Sequence, residues 1–292
     1  MRTRALWAGL VAVTIGTAAC GDNLGSATPP DGSIDAGPAP VVLVRTWGGF
    51  GTDPGQFVEP SSVELDSAGF VYVAGHENRV QKFTRDGELV LIWGTAGLGA
   101  GQFNHPHGLA IDRARGDLIY VGDQENRRMQ VFTPDGTFVR LWTDLQFRHI
   151  HDVGIDPATG DVFIGDYDID VLQRFTSTGQ PVIELGGSGT APGKFDGIWG
   201  VSTDSTGNIY VADTFNRRIQ KLAPDGTFVA EWRTYAGVSF QKPTGVFVDS
   251  RDVVYVCDSL AETIVLFDRD GSVIEQWNMR AVLGEVSEPE DI

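Results

Sequence analysis

Cysteine is nearly missing from these 292 residues: there are two, Cys20 and Cys257. Two cysteines so far apart give no disulfide framework, so packing and hydrogen bonding must hold the chain together. Cys257 sits in the apolar run VVYVCD and no histidine follows residue 151, so it reads as a small buried hydrophobe, not a nucleophile. Basic residues are also scarce. There are 22 against 39 acidic ones, for a formal charge of −17. A chain this acidic repels phosphate backbones, which excludes nucleic acid as a partner, while leaving divalent cations and basic ligands open. Long apolar runs are few, and the run from Ala5 to Ala19 is too short to cross a bilayer comfortably.

What is present is repetition. A segment of about 46 residues opens with PSSVELD at Pro60, PHGLAID at Pro106, IHDVGID at Ile150, IWGVSTD at Ile198 and PTGVFVD at Pro243. The intervals are 46, 44, 48 and 45, and Pro289 follows after another 46. Each copy reads as four short strands by alternation and β-branched or aromatic content. The first hairpin carries Asp66, Asp112, Asp156, Asp204 or Asp249, whose carboxylates can bond nearby N–H groups. The third turn carries Asp86-Gly87, Asp135-Gly136, Thr178-Gly179, Asp225-Gly226 or Asp270-Gly271, which tolerate the positive φ of a hairpin. Four antiparallel strands repeated radially make the blades of an all-β propeller.

The runs VYVAGHENRVQKF from Val71, IYVGDQENRRMQVF from Ile119 and IYVADTFNRRIQKL from Ile209 resemble the NHL-repeat propeller family. The similarity extends over residues 41–292 and implies an NHL-type β-propeller. The third and fifth copies lack the Asn-Arg pair, so that pair reads as structural. The run VVLVRTWGG before the first copy matches a fourth strand, and EPEDI at the end matches only the start of a first. The expectation is therefore five complete blades on a six-bladed curvature, with an incomplete sixth at the seam and exposed edges there.

Arg2 and Arg4 before the apolar run mark residues 1–20 as an export signal. Thr17-Ala18-Ala19-Cys20 resembles a bacterial lipoprotein box, which implies lipidation of Cys20 and a protein facing the periplasm or cell surface; ordinary secretion is the alternative. Residues 21–40, rich in Gly, Pro, Ser and Asp, read as a flexible tether to the propeller at 41–292.

All five histidines lie between residues 76 and 151, and the spacing NHPHG at 104–108 recurs as RHIHD at 148–152. In a propeller the first strand of each blade lines the channel, so Ser61, His107, His151, Trp199, Thr244 and Glu290 should occupy equivalent rim positions. Imidazoles from adjacent blades can converge on zinc or another divalent cation. His107 and His151 are the first candidate ligands, then His105 and His149, with a carboxylate such as Asp152 or Glu290 nearby. FNHPHGLAID is similar to a Pro-His strand of the peptidylglycine amidating lyase family, which implies a metal-dependent lyase, with Tyr167 the nearest substitute for that family's catalytic tyrosine. No third histidine stands on a distant blade, and the alternative is that each ring is satisfied by hydrogen bonds. His76 is placed with Asp123, Asp166, Asp213 and Asp258 as a turn residue. Trp47, Trp93, Trp142, Trp232 and Trp277 recur as packing residues, whereas Trp199 is a rim aromatic suited to stacking or to plugging the channel mouth. The favoured reading is a non-enzymatic module binding a protein, peptide or glycan on one face, reaching the membrane only through its anchor.

Overall fold

A computed structural model describes residues 46–283. The segments expected to form a signal and a tether at 1–40, Cys20, Glu290 and most of the two expected seam segments lie outside the described residues. Blade 1 holds β1 (Pro60–Leu65), β2 (Val71–Gly75), β3 (Arg79–Phe83) and β4 (Leu89–Trp93). Blade 2 holds β5 (Pro106–Asp112), β6 (Leu118–Asp123), β7 (Arg128–Phe132) and β8 (Phe138–Thr143). Blade 3 holds β9 (Ile150–Ile155), β10 (Val162–Asp166), β11 (Val171–Phe175) and β12 (Pro181–Gly186). Blade 4 holds β13 (Ile198–Thr203), β14 (Ile209–Asp213), β15 (Arg218–Leu222) and β16 (Phe228–Trp232). A small hairpin, β17 (Thr234–Tyr235) and β18 (Val238–Ser239), leads into blade 5 with β19 (Pro243–Val248), β20 (Val254–Asp258), β21 (Thr263–Phe267) and β22 (Val273–Asn278).

Each blade is an antiparallel meander in chain order. The first strands of successive blades lie side by side, β1 on β5, β5 on β9, β9 on β13 and β13 on β19. Second strands such as β2, β10 and β14 are buried along their whole length, because neighbouring blades cover both faces. Fourth strands such as β12 face outward and are largely exposed.

The repeating signals in the sequence have visible physical roles. At the last hairpin only the glycine takes positive φ, for example Gly87 at +81° and Gly226 at +87°, and the ladder shifts register beside it. These are type I turns closed by a glycine bulge. A side chain at Gly87, Gly136, Gly179 or Gly271 would run into Trp47, Trp93, Trp142 or Trp232 respectively, so each tryptophan packs on the next blade's turn. Asp66, Asp156, Asp204 and Asp249 accept N–H groups within their own hairpins. Cys257 is fully buried, as a small hydrophobe should be.

Blades 1, 2 and 4 share a further polar device. Arg128 and Arg218 open the third strand, pair with Asp123 and Asp213 at 2.6 Å, and donate to carbonyls of the loop entering their blade. Arg79 bonds the corresponding loop at Thr52, Asp53 and Gln56.

Candidate functional site

Three sets of equivalent positions meet at one end of the propeller. The second residue of each inner strand is Ser61, His107, His151, Trp199 or Thr244. The residue just before that strand is Glu59, His105, His149, Gly197 or Lys242, and its carbonyl accepts the N–H of His76, Gln124, Tyr167, Thr214 or Ser259. That repeated bond defines the third set and brings all five histidines together with Tyr167, Trp199 and Lys242.

The first set is stitched across blades. The Ser61 hydroxyl donates to the Pro106 carbonyl at 2.9 Å, His107 Nδ1 to the His151 carbonyl at 2.7 Å, and His151 Nδ1 to the Trp199 carbonyl at 2.9 Å. A carbonyl only accepts, so both imidazoles carry their proton on Nδ1 and leave Nε2 as an acceptor. Burial lowers the His107 pKa to about 4, against the opposing effect of its carbonyl bond. Burial, reinforced by His107, holds His151 well below its ordinary value. Both rings are neutral at pH 7.

The rings form an unbroken crescent. His105 stacks on His76 with centroids 3.9 Å apart, His76 lies 6.0 Å from His107, His107 4.3 Å from His151, and His151 stacks on Trp199 at 5.0 Å. Lys242 Nζ lies over the Trp199 ring at 4.0 Å. Tyr167 contacts His149, His151, Trp199 and the exposed Phe215. His149 Nδ1 also stands 3.4 Å from the Asp168 carboxylate.

His76 does not occupy the aspartate position that its sequence context suggested. Pro60 pairs with Gly75, where Pro106, Ile198 and Pro243 pair with Asp123, Asp213 and Asp258. The missing carboxylate is supplied by Glu77, which accepts the Val58 N–H as Asp123, Asp166 and Asp213 accept those of Asn104, Arg148 and Asp196. Released from that duty, the His76 ring joins the crescent, its Nδ1 2.6 Å from Glu59 Oε2. We predict that Glu77→Ala costs about 1–3 kcal/mol by orphaning a backbone donor. A side chain at Gly75 points at the space Glu77 fills, so adding Gly75→Asp should recover most of the lost urea resistance.

A model of the family described as NHL repeat matches residues 195–222. E3 ubiquitin-protein ligase TRIM71 of Rattus norvegicus is 43% identical over 56 residues, 19% of this chain and 6% of that protein. NHL repeat-containing protein 3 of Homo sapiens is 37% identical over 78 residues, 25% of this chain and 22% of that protein. The chain thus spans a small part of the curated relatives it matches. The chain is an NHL-repeat β-propeller. A solved structure of a virginiamycin B lyase from Staphylococcus aureus with quinupristin shares the fold, with a TM-score of 0.56 at 12% identity over 76% of this chain and 70% of that one.

In this NHL propeller the candidate metal ligands are neighbours without forming a ligand set. Among the described residues no three His, Cys, Asp or Glu side chains are grouped to hold an ion. Asp152, considered as a supporting carboxylate, accepts the Val201 N–H at 2.7 Å and so joins blades 3 and 4. The described residues therefore do not fit a zinc centre. Sequence reasoning missed Glu77, Phe215 and Lys242. Their signal was positional, since Lys242 precedes an inner strand as His105 and His149 do.

Proposed function

We propose that this propeller is an exported binding module, and that the imidazole and aromatic crescent holds its ligand, a glycan, a peptide or a segment of a protein. One observation carries the reading: ring contacts run without a gap from His105 through His76, His107 and His151 to Trp199, spanning four blades on a single face. Neutral imidazoles with free Nε2 acceptors beside aromatic faces suit a ligand that offers hydroxyl or amide donors and an apolar surface. Export and a lipid at Cys20 are supported by the N-terminal sequence alone. Two packing features support a six-bladed curvature with an incomplete seam blade. Trp47 packs on the blade 1 turn as the last tryptophan of a preceding blade would, and among the described residues β1 and β19 lack the packing that joins the other inner strands.

The test is an array of glycans and peptides probed with the wild-type protein and with Trp199→Ala and His151→Ala. Hits should weaken at least tenfold in both variants, with the fold unchanged by circular dichroism. Hits indifferent to both substitutions would place the ligand elsewhere. Zinc bound stoichiometrically to purified protein and lost from His107→Ala with His151→Ala would favour the lyase reading instead.

A further inference from the structure

Gln173 lies outside the crescent, on β11, and is 1% exposed, yet neither atom of its side-chain amide has a hydrogen-bond partner. An unpaired buried amide is costly, so native proteins rarely keep one without a use. Its counterparts show what that amide does elsewhere in the same chain. Gln81 Oε1 accepts the Gly55 N–H at 2.8 Å and its Nε2 donates to the Gln56 carbonyl at 2.8 Å. Gln130 holds Gly101 and Gln102 in the same way at 2.9 and 2.7 Å, and Gln220 holds Gly193 and Lys194 at 2.8 and 2.7 Å. In each case the amide reads a two-residue peptide unit whose glycine has φ between +73° and +82°.

Blade 3 keeps the reader without the segment it reads. Leu145 stands where the sister loops have glycine; it is not among the positive-φ residues, and the residue is 93% exposed. Val171 pairs with Asp166 where Arg128 and Arg218 pair with theirs, so the guanidinium that grips the other loops is also missing. A recess of about 130 Å³ results, whose lining includes Gln173, Asp144, Val182, Ile183, Glu184 and Arg174, the last already paired with Asp161 at 2.6 Å. That is the space of roughly four waters, enough for a short stretch of glycine-containing backbone.

We infer that the recess at Gln173 docks a glycine-bearing basic peptide segment of another protein, taking its glycine N–H on Oε1 and donating Nε2 to the next residue's carbonyl. The three internal loops supply the backbone chemistry. Asp144 and Glu184 at the recess favour lysine after the glycine, as in the blade 4 loop, and exposed Val182 and Ile183 offer apolar contact. This site is independent of the crescent.

The probe is a blocked synthetic peptide with the sequence of Thr190 to Phe195, which carries the lysine as its only charge, titrated into the full chain and followed by amide chemical shifts. Saturable binding centred on β11 and β12 is expected, weakened at least tenfold when sarcosine replaces the glycine, which removes the donor N–H, and likewise in Gln173→Leu. Gln173→Leu should raise the urea midpoint, whereas Gln130→Leu and Gln220→Leu should lower it. Three losses of the same sign would overturn the premise. Absence of saturable binding at about 1 mM peptide, or binding indifferent to sarcosine, would overturn the site. Self-association abolished by Gln173→Leu would assign the recess to a second copy of this chain and overturn its assignment to another protein.

Discussion

Arg218→Met should destabilise the propeller by about 3–5 kcal/mol, a shift of roughly 1–2 M in the urea midpoint. The side chain is fully buried, with Nε 2.6 Å from Asp213, one Nη on Glu231 and Thr190, and the other on Ala191 and Lys194. Burial raises the Asp213 pKa even with Arg218 beside it, so desolvation absorbs most of what the pair gains. The cost of the variant lies in what remains: a buried carboxylate facing a methionine, and loop carbonyls without donors. Adding Asp213→Asn should recover part of the loss, because the uncompensated charge goes with it. Arg269 pairs with Asp252 on the surface and is 44% exposed, so Arg269→Ala should cost less than about 1 kcal/mol. Equal losses from the two arginine variants would show that the buried network is not what joins the blade to its entry loop.

This network also explains what could be read from sequence. Blade number and strand order are written in short-range terms: a glycine that must take positive φ, an aspartate that closes a hairpin, and a tryptophan that meets the next blade's turn. These recur with the period and need no knowledge of distant contacts. Gly75 and Glu77 are different. Blade 1 is one residue shorter between its second and third strands, and its second strand aligns with the others to put Gly75 where they have aspartate; only the bond from the Val58 N–H shows that the carboxylate arrives from Glu77. The crescent was half legible for the same reason. His107, His151 and Trp199 share an obvious position on the inner strand, but His76 and Tyr167 reach the same surface from the turn after the second strand and Lys242 from the loop before blade 5. Their convergence depends on how loops from adjacent blades stack, which periodicity does not encode. Gln173 was invisible as a candidate, because its sequence context matches sisters whose amides are satisfied.

Acidification should destabilise the protein through the same crescent. Burial lowers His107 from an ordinary 6.5 to about 4 and pushes His151 down in the same direction. A histidine whose folded pKa lies below its unfolded value binds more protons when unfolded, so stability is full above about pH 6.5 and falls as pH drops toward 4. Each unit of difference is worth about 1.4 kcal/mol; allowing for the partial exposure of the rim, His107 should remove about 2 kcal/mol across that window. The neighbours act in the same sense: repulsion from His76, His149 and His105 adds to the lowering at His107, and repulsion from Lys242 adds to that at His151. The Nδ1 bonds to the His151 and Trp199 carbonyls survive protonation, so charge repulsion and desolvation, not lost bonds, produce the effect. His107→Asn keeps a donor for the His151 carbonyl while removing the titration. Urea unfolding at pH 7.5 and pH 4.5 should therefore show a smaller loss in His107→Asn than in the wild type, with the two proteins nearer each other at the lower pH. Parallel losses in both would mean that carboxylates elsewhere, such as those on the acidic surface, govern the acid limb.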